Sequence, residues 1–518
     1  MLLRDFLSLG PLYLSGLIII PLVLWFIIVP RYTTLQIRRI GGTRAHVLST
    51  NPLTGMRWLL DAGRKHSQDK LQDFFQDLYK NAPPSSPNCV EISVLGRRRY
   101  IITQEPEHIK TILTSKFADF GKGRRFHETW SPFLGDSIFT TDGRLWQDSR
   151  GLIRPMFIKE KVSDLLIFEK WTQAMMSKMP ASGGTVGMQD LFYRMTLDVT
   201  TDFLLGSSVG SLDNPKHEFV HAFTDVQRTQ MMYMILYPLK AFIPNGKYLR
   251  GIKTIERFME PYIAQALAMN PEDLEKLSKS DKNCTFLHQI MRYSRNPKVL
   301  RDQIMAILLA GRDTTAATLS WCVYELARYP AVYGRLRGEI LSTVGESRAP
   351  TYADLKRMTY LTHTLNETLR LYPAVPYNLR AALEDSTLPS GVPGRPDIGC
   401  LKDDMVVYST LAMQRRADLY PPVSDTFADP ALFSPDRWDH WTPKPWQYVP
   451  FNGGPRICVG QNFAMTEMAY CMVRLLQKYD RLEYRGDWSA QCHKAEIVGC
   501  PGDGVPVAFH EAEKGDIA

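Results

Sequence analysis

The sequence predicts a mainly α-helical fold with a minor β-sheet region, preceded by one N-terminal transmembrane helix. Three observations lead to this prediction: an uncharged apolar run near the N-terminus, long segments with apolar residues at helical spacing, and a few short strand-like segments. A content of 44% apolar and 22% charged residues is typical of a globular protein. We expect residues 1–30 to form a membrane anchor and residues 31–518 to form a single domain.

The apolar run extends from Phe6 to Pro30 and contains no charged residue. As a helix it would be about 37 Å long, enough to cross a hydrocarbon core of about 30 Å. Only Arg4 precedes it, whereas four arginines follow within residues 31–44, which places the main domain in the cytosol. A cleaved signal peptide is the alternative, but its apolar part would be shorter, and no small-residue cleavage site follows.

Helical periodicity dominates the rest of the chain, and strand-like segments are few. The predicted helices are residues 69–79, 161–178, 189–205, 300–328 and 361–371, and the predicted strands are residues 90–94, 99–103 and 405–409. No glycine-rich nucleotide-binding fingerprint follows a strand. Any redox chemistry would therefore need electrons from another protein.

The distribution of charge and of cysteines argues against nucleic-acid binding, a zinc site and a disulfide scaffold. The net charge of +8 is spread along the chain, so nucleic-acid binding has no particular support. None of the eight cysteines forms a C-x-x-C pair, and their density is low for a long chain. A zinc site and a disulfide scaffold are therefore not expected.

Residues 451–460 (FNGGPRICVG) place Cys458 just before a helical stretch. Backbone N–H groups and the positive end of the helix dipole favour a thiolate there. Gly454 and Gly460 allow a tight turn or a close approach to a planar ligand, and Arg456 offers a cation to an anionic group. Taken alone, a cysteine in an apolar stretch is more often a small buried hydrophobic residue.

The full pattern F-x-x-G-x-R-x-C-x-G resembles the haem-binding loop of the cytochromes P450 at every defined position. The resemblance implies that Cys458 is the axial iron ligand of haem b (iron protoporphyrin IX), with Phe451, Arg456 and Gly460 binding the cofactor. A thiolate ligand pushes electron density onto the iron and favours O–O cleavage.

Residues 310–315 (AGRDTT) put glycine, acid and hydroxyl groups in the middle of a long apolar helix, where each lowers helix propensity. A threonine in such a place can simply bond to the carbonyl four residues earlier and bend the helix. The segment also resembles the oxygen-binding groove of the P450 family. That resemblance implies that Asp313 and Thr314 are catalytic and deliver protons while dioxygen is activated.

Glu367 and Arg370 lie three residues apart, where they can pair on one helix face. Alone, such a pair is usually a surface ion pair of little energetic value. In the P450 family this E-x-x-R motif is completed by a further arginine, which residues 433–438 (FSPDRW) supply as Arg437. The resemblance implies a buried network of three charges with a structural role.

Three further residues resemble positions of the family that bind the haem propionates. Trp146 and Arg150 lie in residues 143–150 (GRLWQDSR), and Arg380 ends residues 376–380 (PYNLR). Each match is weak alone, but these motifs occur in the family's order. The resemblance therefore adds Trp146, Arg150 and Arg380 to the cofactor-binding residues.

Residues 119–124 (DFGKGR) and 134–140 (LGDSIFT) resemble the P450 branch that hydroxylates alkanes and fatty acids in fungi. The sequence departs from this branch at Gln414, where histidine is usual, and at residues 425–432, which look like an insertion. By position, residues 374–376 and other apolar segments are expected to line the substrate channel. Ordinary core packing is the alternative for those segments.

The resemblance implies a haem-thiolate monooxygenase that inserts one oxygen atom from O2 into a lipophilic substrate. NADPH would act only indirectly, through an NADPH–cytochrome P450 reductase, at the endoplasmic reticulum membrane. Hydroxylation of a fatty acid, an alkane or a similar acyl chain is expected, and a tailoring oxidation of a fungal polyketide or terpenoid is the alternative. A haem-dependent isomerase or dehydratase and a non-catalytic haem binder are further alternatives.

Overall fold

The protein consists of two compact units. The computed structural model describes residues 11–49, 52–80, 82–83, 86, 88–94, 98–158, 164–279, 284–392 and 394–512. The first unit, here called the sheet unit, comprises residues 1–64, 73–123 and 378–409. The second, here called the helical unit, comprises residues 65–72, 124–377 and 410–518.

Helices make up most of the described chain, as the sequence predicts. They are α1 (Pro11–Arg39), α2 (Pro52–Ser67), α3 (Leu71–Lys80), α4 (Pro106–Leu113), α5 (Gly123–Leu134), α6 (Gly143–Ile153), α7 (Leu166–Met176), α8 (Met188–Leu205), α9 (Glu218–Ile235), α10 (Gly246–Leu267), α11 (Pro271–Lys279), α12 (Phe286–Met291), α13 (Pro297–Arg328), α14 (Pro330–Val344), α15 (Tyr352–Arg357), α16 (Thr359–Leu371), α17 (Thr410–Met413), α18 (Arg437–His440) and α19 (Gln461–Lys478). Short 3-10 turns occupy Arg154–Phe157, Tyr237–Phe242, Ala417–Leu419 and Gly454–Arg456.

The strands are short, and most of them lie in the sheet unit. They are β1 (His46–Ser49), β2 (Cys89–Val94), β3 (Arg98–Thr103), β4 (Phe120–Gly121), β5 (Thr185–Gly187), β6 (Tyr377–Ala382), β7 (Ser386–Leu388), β8 (Ile398–Cys400), β9 (Met405–Ser409), β10 (Tyr479–Tyr484), β11 (His493–Ala495), β12 (Gly499–Pro501) and β13 (Pro506–Glu511). The sheet unit holds a six-stranded sheet in the order β1-β2-β3-β9-β6-β4 and the pair β7-β8. The helical unit holds the sheet β10-β13-β5 and the hairpin β11-β12.

The elements predicted from periodicity are confirmed with small shifts at their ends. The five predicted helices correspond to α3, α7, α8, α13 and α16, although residues 161–163 of the second prediction lie outside the described residues. The three predicted strands are β2, β3 and β9. A mostly helical fold with a minor sheet is therefore correct.

The N-terminal helix α1 continues past the apolar run to Arg39. Residues 6–10 of the predicted transmembrane segment lie outside the described residues. Leu24, Ile27 and Ile28 are exposed, whereas Ile37 is fully buried. Within the part of the chain that the structure describes, no helix combines the length and the apolar character needed to cross a membrane. The transmembrane assignment stays a prediction from the sequence.

The long helix α13 is the centre of the helical unit. It starts at Pro297, where the side chain of Asn296 accepts a hydrogen bond from the N–H of Lys298 and so caps the helix. It ends at Arg328, just before Pro330 starts α14. Helix α8 packs along it. Because α13 is buried on nearly all sides, its polar residues are held in defined positions.

Candidate active site

The segment that contains Cys458 forms a closed loop in front of α19. The N–H of Cys458 donates to the carbonyl of Phe451 (2.9 Å), and the N–H of Ile457 donates to the carbonyl of Gly454 (3.0 Å). Gly454 has a φ of +62°, in the left-handed region that side chains disfavour. Helix α19 begins directly after Gly460. The loop therefore fixes the position of Cys458 at the start of a helix.

The Cys458 side chain is accessible, and yet its sulfur is surrounded by protein atoms. Burial raises the pKa of the Cys458 thiol, whereas the N–H of Gly460 and the charge of Arg150 lower it. The N–H group at the start of the helix therefore lowers the pKa of Cys458, as the sequence predicts, but burial raises that pKa by more. A metal ion bound to sulfur removes the thiol proton outright.

Trp146 on α6 lies between two of the predicted cofactor-binding arginines. The guanidinium carbon of Arg456 is 4.7 Å from the Trp146 ring centroid, and that of Arg150 is 5.8 Å from it. Arg150 Nη1 also donates to the carbonyl of Ile457 (3.0 Å). Arg456 Nη2 donates to Asp142 Oδ1 (2.6 Å), an ion pair that the sequence did not indicate. The structure thus brings three predicted side chains together beside the cysteine loop.

Helix α13 has one accessible turn in an otherwise buried segment. From residue 302 to residue 326 every residue is buried except Ala310, Gly311 and Thr314. The Thr314 hydroxyl donates to the carbonyl of Ala310 (2.8 Å), so the back-bond considered as an alternative is present. A Cβ at Gly311 would lie 2.7 Å from Thr200 Oγ1, so glycine permits the close approach of α8. The accessible turn therefore carries a hydroxyl group on a rigid helix.

Asp313 adjoins Thr314 in sequence but has a different environment. Its side chain is buried, and its Oδ1 lies 3.1 Å from Nη1 of the equally buried Arg312. Burial raises the pKa of Asp313, whereas the charge of Arg312 and the amide of Gln227 lower it, and the net change is upward. The two residues that the sequence predicts to be catalytic are thus a half-buried hydroxyl and a buried acid.

Glu367 accepts hydrogen bonds from both arginines of the predicted network. Arg370 Nε lies 2.7 Å from Glu367 Oε2, and Arg437 Nε lies 2.9 Å from Oε1. Trp438 Nε1 adds a bond to Oε2 (3.0 Å). The three charged side chains are completely buried. Burial opposes ionisation of Glu367, but the two arginines outweigh it and hold its pKa below the usual value.

Arg380 lies on β6 in the sheet unit and not in the helical unit that holds Cys458. Its side chain is 1% exposed. Nη1 donates to Asn378 Oδ1 (3.0 Å) and to the carbonyl of Leu379 (2.8 Å), while the buried Nε has no hydrogen-bond partner among the described residues. A buried cation is costly unless it is paired. The position therefore suits a bound anionic group.

Gln414 has a role that the sequence did not reveal. Its Nε2 donates to the carbonyls of Leu369 (3.1 Å) and Arg370 (3.0 Å) at the end of α16. Its Oε1 accepts from the N–H of Val449 (2.8 Å), two residues before Phe451. The departure from histidine was the only signal of this role. An amide can fill two donor positions and one acceptor position at once, which an imidazole cannot.

A buried apolar cluster begins one turn beyond the accessible turn of α13. It consists of Ala317, Ala374, Val498 and Cys500, with Ile497 packed against it. Ala374 belongs to the segment predicted to line the channel, and the structure shows it in this packed cluster. The sequence did not predict that Val498 and Cys500 of the β11-β12 hairpin segment pack against α13, because a contact between distant segments has no local sequence signal.

Comparison with known proteins agrees with this arrangement. The family model for cytochrome P450 matches residues 56–494. The chain is 44% identical to the cytochrome P450 monooxygenase pvhE of Talaromyces variabilis, over 93% of this chain and 92% of the relative. It is 38% identical to cytochrome P450 52A13 of Debaryomyces hansenii, over 85% of this chain and 87% of that protein. Cytochrome P450 52A1 of Candida tropicalis is also 38% identical, over 80% and 79% of the two chains.

A solved structure gives independent support for the fold. The haem domain of cytochrome P450DA superposes with a TM-score of 0.68 at 20% sequence identity, covering 85% of this chain and 92% of that one. The match of the family model over most of the chain, and the identity with full-length relatives, establish the family. This chain therefore belongs to the cytochrome P450 family and is a monooxygenase of the type that uses a cysteine-ligated haem.

Proposed function

We propose that this monooxygenase hydroxylates a fatty acid, an alkane or a similar acyl chain, with Cys458 as the haem ligand. The observation that carries the proposal is the accessible turn of α13, where Ala310, Gly311 and Thr314 are the three non-buried residues between residues 302 and 326. An accessible cysteine at the start of α19 accompanies it.

The side chains present fit a haem. Cys458 would supply the sulfur ligand of the haem iron. Arg380, which the resemblance assigns to a propionate, lies in the sheet unit, and its buried Nε has no hydrogen-bond partner among the described residues. Trp146, Arg150 and Arg456 offer N–H groups beside the cysteine loop, where Asp142 already pairs with the charge of Arg456. Phe451 and Gly460 shape the loop through the backbone.

The protein's own residues hold the ligand, position the substrate and move protons. A thiolate-ligated haem would supply the activation of dioxygen, so that, with two electrons from the reductase and two protons, one oxygen atom enters the substrate and the other leaves as water. The Thr314 hydroxyl, on the accessible turn, can pass a proton. Asp313 can supply that proton, because burial raises the pKa of its carboxyl group and so favours the form that carries a proton.

The network of Glu367, Arg370 and Arg437 has a structural role in this proposal. It ties α16 to the segment before the cysteine loop, because Arg437 also donates to the carbonyls of Ala428 (3.1 Å) and Leu432 (2.9 Å). Fully buried charges that are fully paired restrict the backbone to one arrangement. The network therefore fixes the position of the segment that precedes the loop of Cys458.

An apolar substrate class is supported by two features. The buried apolar cluster of Ala317, Ala374 and Val498 begins one helical turn after the accessible turn, and segments 119–124 and 134–140 resemble the branch that hydroxylates alkanes and fatty acids. Each CH2 group of a substrate that is buried against apolar side chains contributes about 0.8 kcal/mol. Chain length should therefore affect the binding of the substrate strongly.

We also propose that the enzyme works at the endoplasmic reticulum membrane with an NADPH–cytochrome P450 reductase. The support is the uncharged sequence from Pro11 to Pro30 within α1, followed by arginines. A lipophilic substrate partitions into the same bilayer, so an anchor would keep the enzyme near its substrate. Under this proposal the catalytic domain faces the cytosol, where the reductase can reach it.

Product analysis tests the proposed function. Microsomes that carry this chain and a fungal reductase are supplied with NADPH and with fatty acids and alkanes of graded length. Cys458→Ser is the test variant, and Cys492→Ser is the matched control, because Cys492 is a half-buried cysteine in another part of the helical unit. We expect chain-hydroxylated products that depend on chain length and disappear only in Cys458→Ser.

Other outcomes would contradict the proposal. Oxidation confined to the rings of polyketide or terpenoid substrates, with no product from any acyl chain, would favour a tailoring role in secondary metabolism. Turnover without NADPH would indicate an isomerase or a dehydratase. Haem binding without NADPH consumption for any lipophilic substrate would indicate a non-catalytic haem protein.

A further inference from the structure

A series of tryptophan and tyrosine rings extends from α13 to the surface of the helical unit. Trp321 on α13 is 2% exposed, and its ring centroid lies 5.6 Å from that of Tyr324. The Tyr324 centroid lies 5.1 Å from that of Trp488, and Tyr484 lies beside both rings, at 5.4 and 4.2 Å. Trp488 is 43% exposed. Each ring therefore contacts the next, and the last ring reaches the solvent.

The buried end of this series lies on the same face of α13 as the accessible turn. Trp321 follows Thr314 by seven residues, which is close to two full helical turns, so the two side chains share one face. The distance between them along the helix axis is about 10 Å. The ring of Tyr372 is stacked on Trp321, with a centroid distance of 4.0 Å and an interplanar angle of 5°. Stacked rings share a positive charge, so such a pair loses an electron more readily than a single ring does.

Packing alone does not account for the residue types in this series. The buried Nε1 of Trp321 has no hydrogen-bond partner among the described residues, although a buried indole N–H usually has one. A phenylalanine would supply a ring with no polar atom to desolvate. The helical unit has phenylalanines beside the cysteine loop, where Phe157 lies 5.9 Å from Phe463 and a Cβ at Gly460 would lie 3.6 Å from Phe157. Tryptophan and tyrosine differ from phenylalanine in that proteins can oxidise their rings by one electron.

A buried carboxyl group lies where it can take up the proton that an oxidised tyrosine releases. The Tyr372 O–H donates a hydrogen bond to Oε1 of Glu325, which is 3% exposed. Burial raises the pKa of Glu325, although the hydrogen bond from Tyr372 lowers it, and the net change is upward. A raised pKa favours proton uptake. Tyr372 can therefore return an electron to Trp321 and pass its proton to Glu325.

We propose that Trp321, Tyr324 and Trp488 form a route by which electrons pass from the protein surface to the site of oxygen activation when no substrate is bound. The inference rests on the proposed position of that site at the accessible turn of α13. An activated oxygen atom that finds no substrate would otherwise oxidise the protein around it, and two electrons and two protons convert it to water.

Each electron is lost by Trp321 and replaced first from Tyr324 and then from Trp488. A small thiol in solution reduces the exposed Trp488 again. Two thiols thus give one disulfide and supply the two electrons and the two protons that the water requires. The route therefore protects the enzyme and takes no part in the oxidation of the substrate.

The test uses the haem-loaded enzyme with its reductase and NADPH, without substrate, in the presence of a nitroso spin trap. Peptide mass spectrometry locates the trap adducts, and the thiolate-type CO spectrum measures the haem that survives. Tyr324→Phe keeps the ring and removes the phenol from the route. Tyr484→Phe is the matched control, because it removes a neighbouring phenol and leaves Tyr324 in contact with Trp488. The haem-free protein gives the background.

We expect a trap adduct at Trp488 in the wild type and in Tyr484→Phe. In Tyr324→Phe the adduct should fall to the level of the haem-free protein, and the haem should be destroyed faster than in the wild type. Product formation with substrate should stay at the wild-type rate in both variants. A small thiol should remove the adduct and slow haem loss in the wild type but not slow it in Tyr324→Phe.

Three results would overturn the inference. They are a wild-type preparation without the Trp488 adduct, a Tyr324→Phe variant that keeps it, and its loss from both tyrosine variants alike. A failure of the proposed site is recognised separately with Cys458→Ser. If that variant keeps the thiolate-type CO spectrum, the haem is bound elsewhere, and the inference falls with the proposed site.

Discussion

Gln414→Leu is the substitution that most directly tests how the cysteine loop is supported. The Gln414 side chain is fully buried and joins the end of α16 to the segment that leads into the loop. Leucine has a similar volume and no polar atoms. The variant therefore removes three hydrogen bonds and leaves two carbonyls and the N–H of Val449 without these partners.

The structure allows the cost to be estimated. A buried polar group that loses its partner costs about 1–3 kcal/mol. With some relaxation of the backbone, three such groups give about 3–6 kcal/mol. Folded proteins are stable by only about 5–15 kcal/mol, so the loss is a large part of the total. For a chain of this length that loss corresponds to a fall of about 3–6 °C in the thermal midpoint.

The assay follows the thiolate-type CO spectrum of the reduced haem enzyme during heating, because that signal reports the loop around Cys458. Gln414→His is the matched variant: an imidazole can replace only some of the three bonds, so its midpoint should lie between those of the wild type and Gln414→Leu. The reasoning is refuted if Gln414→Leu melts at the wild-type temperature, or if the histidine variant is the less stable of the two.

Three further substitutions give expected outcomes. Glu367→Gln leaves two buried guanidinium groups without a carboxylate, so we expect a loss of about 3–5 kcal/mol and a haem-to-protein ratio near zero after purification. Gly311→Val forces α8 away from α13, at a cost of about 1–3 kcal/mol, and Thr200→Ala should restore part of the thermal midpoint, because the clash is with the Thr200 side chain. Burial raises the pKa of Glu467 to about 8 from its usual 4.5, although Thr315 lowers it. The folded protein therefore binds this proton more tightly than the unfolded chain does, so the free energy of unfolding falls as the pH rises from 4.5 to 8. In Glu467→Gln, which has no carboxyl group to titrate there, the thermal midpoint should fall less over the same pH range.

Each of these outcomes can fail. A normal haem content in Glu367→Gln would show that the two arginines do not depend on this carboxylate. An equal midpoint for Gly311→Val with and without Thr200→Ala would place the strain elsewhere. A difference between Glu467→Gln and the wild type that stays constant between pH 5 and pH 8.5 would contradict the raised pKa.

Local patterns predicted most of the helical framework. The apolar spacing in residues 300–328 and 361–371 anticipated α13 and α16 to within three residues at each end. Spacing along one chain decides which face of a helix is buried, so no information about distant segments was needed. The same holds for the cysteine loop, where the order of glycine, arginine and cysteine belongs to one continuous segment.

Contacts between distant segments were not predictable in the same way. The pairing of Arg456 with Asp142 joins residues 314 positions apart, and the bond from Gln414 to Val449 crosses 35 positions. Neither pair has a local pattern that distinguishes it from ordinary surface residues. The sequence therefore indicated that Arg456 is a cation near the cysteine but not that a carboxylate of the protein already neutralises it.

The environment of Asp313 shows a second limit of the sequence. The motif places Asp313 beside Thr314, and the predicted chemistry treats them as a pair. Burial of one and accessibility of the other follow from the packing of α8 and α9 around α13, which the motif does not contain.

The most direct test of the central claim is the CO spectrum of the reduced enzyme for the wild type, Cys458→Ser and the control Cys492→Ser. If Cys458 is the haem ligand, the wild type and Cys492→Ser show the thiolate-type spectrum, and Cys458→Ser loses it. A thiolate-type spectrum that persists in Cys458→Ser would show that another residue binds the iron and would contradict the account of the site.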